Sequence, residues 1–516
     1  MEPTRILWVD DEIELLKPHL IFLREKNYTV DTVHNGHDAL DQVRSESYDL
    51  VFLDENMPGM DGLETLKQIK EIRSGLPVVM VTKSEEEHIM EEAIGGQIAD
   101  YLIKPVNPNQ LLLSLKKNLD KRRLVNEKTN MDYQQAFRKI GMELNEVRDW
   151  AGWVELYQKL VYWEIALEQT EDRNMEEILQ MQKREANDLF SRYVDNAYLD
   201  WMEGEDAPLL SHDLFSEKVF PALNDQRSTF VLLLDNLRYD QWKVIQPELM
   251  KYFRLSEESM FSSILPTATQ YARNAMFAGL MPDEIKRRYP DRWKDENDEE
   301  SKNQFEEFFL REQLDRHGYK DIRFSYHKVV QQAYGKKLVD QVRNMAQNPL
   351  NVIVYNFVDM LSHAKTEMDM IKQLAADDKA YRSLTLSWFK NSPLAEMVRL
   401  IAEEKGQLIV TTDHGTINVT QPSKLVGERS LNSNLRYKVG RNMSYQEKDV
   451  LVAHDPSALH LPVQSRSQFY VFARDDHFFA YPNRYNHYVQ YYRNTFQHGG
   501  ISLEEMIIPC ALMESR

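Results

Sequence analysis

The sequence predicts a multidomain α/β chain: a (βα)5 domain, then a three-helix bundle, then a second and larger α/β domain. Three observations carry that prediction. Short β-rich runs alternate with helical ones over the first 120 residues, apolar residues recur at helical spacing from about 123 to 205, and strand-like runs that end in aspartate return from residue 230. At 516 residues the chain exceeds one core, and roughly 150 residues per domain gives about three. The expected boundaries are 1–122, 123–208 and 209–516.

In the first domain the strand-like runs are RILWVD, YTVDTV, DLVFLD, PVVMVT and DYLIKP. Helices are expected near 12–25, from Asp38, near 62–72, near 85–94 and near 108–121. A parallel sheet wound on both faces collects its chemistry at the C-terminal strand ends. Those ends carry Asp10 and Asp11, then Asp54, then Thr82, then Lys104 before Pro105. Three carboxylates at adjacent strand ends repel one another unless a hard divalent cation lies between them, and Mg2+ prefers such an oxygen site. A phosphoryl group on Asp54 would be neutralised by that ion, by Lys104 and by the Thr82 hydroxyl.

WVDDE, FLDENMPGMDG, VMVT and YLIKP, in that order, resemble the receiver domain of two-component response regulators. The resemblance implies Asp54 as phosphoacceptor and Asp10, Asp11 and Asp54 as the site of one Mg2+. It further implies Tyr101 as an aromatic switch turning inward with Thr82, and a sensor histidine kinase as partner. Lys83 departs from the pattern, since a small residue is usual there, which bears on the lifetime of the acyl phosphate.

Over 123–205 the apolar sets are Phe137, Ile140, Leu144 and Val147, then Leu156, Leu160, Trp163 and Leu167, then Ile178, Met181, Leu189 and Tyr193. Breaks at 149–152 and 171–174 divide them into three helices packed up and down. Trp150, Trp153, Trp163 and Trp201 are expected as core. Gly204 to Pro208 marks the next boundary.

In the third domain FVLLLD, NVIVYNFVD and QLIVTTD each end in an aspartate: Asp235, Asp359 and Asp413. Three strands delivering three carboxylates to one sheet edge suit a metal cluster. His363 follows Asp359 by one helical turn. In LPTATQYARNAMFAG a helix begins near Thr269, where unpaired N–H groups favour an anion. Thr267 and Ser263 compete with Thr269 as nucleophile. Arg273 and Asn274, on the first turn, are candidate substrate donors, with an ion-pair role for Arg273 as the other reading. Arg238 and Asp240 are candidate supports behind the ligands.

LDNLRYD, PTATQYARNAMFAG, TTDHG and HGGISLEEMIIP resemble the PglZ branch of the alkaline phosphatase superfamily over roughly 225–512. The resemblance implies an alkaline-phosphatase-like fold and selects Thr269 as nucleophile, because Gly279 lies ten residues beyond it. It assigns Asp359, His363 and His498 to one metal, and Asp235, Thr269, Asp413 and His414 to the other. The mixed nitrogen and oxygen set suits two Zn2+ ions, with Mn2+ as the alternative.

Insertions near 285–302 and 418–490 are expected to wall the site. The second holds Lys424, Arg429, Arg436, Lys438 and Arg441 against Glu428, read either as a solvated loop or as a phosphate-attracting cap. RYNHYVQYYR, at 484–493, reads either as core or as a surface that stacks bases.

Composition narrows the function. The net charge of −19 disfavours unspecific attraction to polyanions. No run of 18 apolar residues exists and the first strand leads into a charged turn, so neither a membrane span nor a signal peptide is expected and a cytoplasmic location is. The single cysteine, Cys510, is expected as a buried apolar residue.

Taken together, the three parts resemble the PorX type of response regulator. That resemblance implies control of type IX secretion and gliding, contact with a sigma factor or secretion components, and a homodimer favoured by phosphorylation. No DNA-reading helix-turn-helix follows the receiver segment. Two functions are expected as rivals: a phosphorylation-gated phosphodiesterase or phosphatase acting on a nucleotide or oligonucleotide, and an adaptor whose metals only brace a protein-binding surface.

Overall fold

Alternation within the N-terminal strands explains how their uninterrupted apolar runs are used. Ile6, Trp8, Phe52, Val79 and Val81 join Leu20, Leu23, Leu111 and Leu115 on one face, whereas Leu7, Val9, Val51, Leu53 and Met80 join Ala39, Leu40, Leu66 and Ile69 on the other. A sheet covered on both faces needs apolar side chains in both directions. The strands are β1 (Arg5–Val9), β2 (Thr29–Val33), β3 (Leu50–Asp54), β4 (Val78–Thr82) and β5 (Asp100–Ile103), all parallel in the order β2-β1-β3-β4-β5. Val9 pairs with Leu53, so Asp10 and Asp54 stand side by side at the sheet edge. Asn35 and Asp61 cap the helices Gly36–Ser45 and Gly62–Ile72, each accepting a backbone N–H three residues on.

This computed structural model describes residues 4–73, 75–82, 98–170, 173–224, 227–296, 298, 302–361, 377–428 and 431–516. They form two compact units, Met1–Ala136 with Gln169–Asp172, and Phe137–Glu168 with Arg173–Arg516. The helix expected near 85–94 and Lys83 lie outside the described residues. Among the described residues no helix is long and apolar enough to cross a membrane.

One expectation changes at the first boundary. The helix expected to stop at 121 continues as Pro108–Glu146, because no glycine or proline interrupts the sequence between Pro108 and Gly141. Helices Trp150–Glu168 and Arg173–Glu203 follow. Trp153 and Trp201 are buried, and Trp150 meets Trp201 edge-on at 5.7 Å. These two helices belong to the same compact unit as the residues that follow them.

That unit is built on a six-stranded sheet. Its strands are β6 (Thr229–Leu234), β7 (Phe253–Ser262), β8 (Phe324–Val329), β9 (Leu350–Tyr355), β10 (Gln407–Thr411) and the C-terminal strand Ile507–Ser515. The order is β7, C-terminal strand, β10, β6, β9, β8; the last four run parallel, and the C-terminal strand is antiparallel to β10 and β7. Cys510 is buried in that strand, and burial pushes its thiol up to about 12. The 418–490 insertion carries its own three-stranded sheet, Tyr437–Gly440, Phe469–Ala473 and Val450–Ala453.

Candidate functional site

At the edge of the first sheet, Asp10, Asp11 and Asp54 bring one oxygen each within 4.8 Å of the others. Lys104 Nζ lies 2.8 Å from Asp10 Oδ2 and 2.8 Å from Asp54 Oδ1. Burial lifts the Asp54 carboxyl above its usual range; the Lys104 ammonium opposes the lift and Asp10 adds to it. Burial pulls the Lys104 ammonium down, but its bonds to Asp10 and Asp54 outweigh that and leave it raised. Thr82 Oγ1 donates to Glu55 Oε2 at 2.7 Å, and Tyr101 packs half-buried against the cluster holding Leu66 and Met80. Sequence reasoning missed Gly62, where a Cβ would stand 2.3 Å from the Asp54 carbonyl oxygen. The signal was the second glycine of FLDENMPGMDG.

In the second sheet β10, β6 and β9 are neighbours, and Asp413, Asp235 and Asp359 follow their ends. Asp235, Asp413 and His414, all buried, bring one donor atom each within 4.8 Å of the others. Asn236 adopts a left-handed backbone (φ 65°), and its N–H points at Asp413 Oδ1 across 3.4 Å. Thr269 opens the helix Thr269–Ala278, and its Oγ1 lies 3.0 Å from His414 Nε2. The competing hydroxyls are engaged elsewhere: Thr267 Oγ1 donates to the Gly500 carbonyl and Ser263 Oγ to the Asp413 carbonyl. Gly279 ends the helix with φ +57°.

The rings of His414 and His498 stack with centroids 4.2 Å apart and 18° between planes. His414 Nδ1 donates to the Gly415 carbonyl at 3.0 Å and His498 Nδ1 to the Thr267 carbonyl at 3.1 Å. Both acceptors are carbonyls, which fixes the proton on Nδ1 and leaves each Nε2 with its lone pair. His498 Nε2 stands 3.9 Å from Asp359 Oδ1. The expected residues therefore gather as two adjacent sets, Asp235, Asp413, His414 and Thr269 in one, Asp359 and His498 in the other. His363 lies outside the described residues.

A divalent cation fits this chemistry. Asp235 Oδ2 is buried with no hydrogen-bond partner. Burial raises the Asp235 carboxyl to about 6 although Arg273 opposes it, and burial with the Asp235 charge holds Asp359 well above its usual range. Burial also acts on Asp413, but the charges of Arg273 and His414 outweigh it and keep that carboxyl low. A bound cation would offset the repulsion that these shifts record.

Arg273 follows the ion-pair reading, and the expectation for Asn274 needs correction. Arg273 is fully buried; its guanidinium pairs with Asp235, with Asp413 at 3.0 Å and with Glu306 at 3.4 Å. Asn274 is 2% exposed and donates to the carbonyls of Gln270 and Lys302. Neither offers a donor to an incoming substrate, because these helix positions turn into the interior. Glu306 was missed, since EEFF in the sequence reads as the start of an ordinary amphipathic helix. Arg238 pairs with Asp240 and, at 2.6 Å, with Asp378, while Arg382 reaches Asp240 at 2.6 Å.

Both readings of the basic stretch fail for Arg436 and Lys438, which are buried and bonded inward to Glu505 and the Asn432 carbonyl. Both readings of RYNHYVQYYR find support on different faces of the helix Tyr485–Tyr492: Tyr485, Val489 and Tyr492 pack half-buried against Ile417, Val419 and Phe478, whereas His487 and Tyr491 are exposed. Tyr488 and Tyr492 stack at 6.2 Å, and His487 and Tyr491 at 6.4 Å.

Comparison with known proteins places these sites in families. Residues 6–116 match the response regulator receiver domain, 123–202 the PorX response regulator linker domain, and 214–513 the BREX system PglZ alkaline phosphatase-like domain. The transcriptional regulatory protein ResD of Bacillus subtilis is 35% identical over 113 residues, 22% of this chain and 47% of ResD. The transcriptional regulatory protein ZraR of Salmonella typhimurium is 39% identical over 114 residues, 22% of this chain and 26% of ZraR. The match thus spans less than half the length of either relative. A CheY-like receiver domain protein from Methanospirillum hungatei, of known structure, is 31% identical over 23% of this chain and 96% of its own, with a TM-score of 0.22. Receiver homology implies a cognate sensor kinase, and receiver and alkaline-phosphatase-like domains alike generally use divalent metals. With 214–513 matched over more than half its length, the chain belongs to the PglZ alkaline-phosphatase-like family, in the arrangement of a PorX-type response regulator.

Proposed function

We propose that this protein is a response regulator whose phosphorylation on Asp54 governs a two-zinc phosphodiesterase. The observation that carries the reading is the Thr269 hydroxyl, at the first position of a helix and 3.0 Å from His414 Nε2, beside two buried aspartates. Asp235, Thr269, Asp413 and His414 would hold one Zn2+ and Asp359, His363 and His498 the other; Asp10, Asp11 and Asp54 would hold Mg2+. When bound, the paired ions supply Lewis acidity to the nucleophile and the leaving oxygen. Thr269 gives up its proton to water as its oxygen attacks phosphorus in line, and the bond from phosphorus to the leaving alcohol oxygen breaks. The leaving alcohol takes up a proton, and water hydrolyses the phosphothreonine. The helix N-terminus favours the charge on the phosphoryl oxygens.

A diester with a stackable group, a nucleotide or oligonucleotide, is supported by the exposed, stacked rings of His487 and Tyr491, which lie just ahead of His498 in the chain. Likeness to PorX-type regulators supports a cytoplasmic role in type IX secretion and gliding, sigma-factor or secretion-component partners, and a phosphorylation-favoured homodimer. The test is hydrolysis of an aryl phosphodiester by purified full-length protein with added Zn2+. Native protein is expected to turn over and Thr269→Val to bind metal without turnover. Equal inertness of the two with metal bound would instead favour the adaptor role.

A further inference from the structure

Lys183, Asn187, Ser191 and Asp195 sit four residues apart on the helix Arg173–Glu203, which places them in one stripe. Each bonds to the effector. Lys183 pairs with Glu164 at 2.7 Å and Glu504 at 3.4 Å. Asn187 donates to Glu504 Oε2 at 3.0 Å and accepts from the Leu503 N–H at 2.8 Å. Ser191 donates to Asp475 Oδ1 at 2.7 Å, and Asp195 pairs with Arg474.

Lys183 and Asn187 hold residues 503 and 504, and Ser191 Oγ also donates to the Ile501 carbonyl at 3.4 Å, so these three residues grasp the segment that joins the two histidines. It follows His498 directly in the chain. Its far end abuts the turn after His414: the Gly415 N–H donates to the Glu505 carbonyl at 3.1 Å, and a Cβ on Gly415 would stand 1.9 Å from the Glu504 carbonyl oxygen. Gly500 N–H and Arg436 both bond the Glu505 carboxylate, so residues 500–505 act as one rigid piece. A cavity of about 1170 Å3, lined among others by Glu164, Lys183, Asn187, Arg382 and Glu504, borders the stripe.

We infer that Asn187, helped by Lys183 and Ser191, is a positioning residue for the metal centre: through 500–505 it sets where His414 and His498 stand. The inference rests on the metal-holding role proposed for those histidines. An outer residue that orients a ligand typically changes metal affinity by about 10- to 100-fold when removed.

The test uses full-length protein, Zn2+ affinity by chelator competition and the visible spectrum of the Co2+-substituted form. Asn187→Leu is expected to weaken Zn2+ binding about 10- to 100-fold and to alter the Co2+ spectrum. Ser191→Ala should do both in the same direction and less strongly, while Glu185→Gln, an exposed neighbour on the same helix, should match native protein. If Asn187→Leu does not fold, Ser191→Ala decides. A folded variant that melts lower without metal, yet keeps native affinity and spectrum, overturns the inference and leaves the metal reading intact. Native protein that binds neither ion overturns both.

Discussion

Asp413 and Arg273 form a fully buried ion pair, 3.0 Å between carboxylate and guanidinium, in which the same arginine also holds Asp235. A fixed positive charge thus lies behind two of the carboxylates that the proposed metal would meet. It balances them before any ion arrives and holds one oxygen of each.

Removing that charge leaves buried carboxylates uncompensated. Arg273→Met is expected to cost about 3–5 kcal/mol in urea unfolding of metal-free protein, since breaking a buried pair strands its partner. With Zn2+ present the loss should shrink, because the ion supplies the missing charge. An equal loss in both conditions would contradict the neutralising role.

Asp413 also belongs to the proposed metal set itself. Asp413→Asn should cut bound zinc, counted by elemental mass spectrometry, and reduce diester turnover by more than the roughly 10- to 100-fold seen for outer-sphere changes. Retention of full native zinc would remove Asp413 from the set.

The receiver makes a separate prediction. With Mg2+, beryllofluoride is expected to shift native protein toward a dimer in light scattering, and to leave Asp54→Ala unchanged. A mass that stays constant for both would sink the phosphorylation switch.

Lys438 gives the pH dependence. Burial lowers its ammonium to about 7, whereas an unfolded lysine titrates near ~10.4. Between these values the folded chain binds fewer protons than the unfolded one, so folding stability rises with pH across that window. The cost of the buried charge is fully present below about 7. Native protein should therefore gain stability relative to Lys438→Met as pH rises from 7 toward 10, read from denaturant midpoints. A constant gap would show that Lys438 is not desolvated.

Strand ends were legible because they write their chemistry locally: an apolar run followed by aspartate identifies Asp54, Asp235 and Asp413 without knowledge of any partner. The inward turn of Arg273 and Asn274 was not legible, because helix positions four and five residues past Thr269 show their direction only when Glu306 and the Lys302 carbonyl are in place. The same holds for Asn187 and Lys183. On a helix of their own they read as solvated polar residues, and only the fold brings Glu504 to them. The tyrosine helix was not legible for a different reason, since aromatic residues at helical spacing look the same whether they line a core, as Tyr485 and Tyr492 do, or a surface, as Tyr491 does.

The shared seam also limits how such a regulator can be assembled from parts. A chain beginning at residue 214, where the PglZ family match starts, would leave Arg382 with Asp240 but without Glu164, and Glu504 without Lys183 and Asn187. The helices Trp150–Glu168 and Arg173–Glu203 and the residues after them therefore share one set of buried ion pairs.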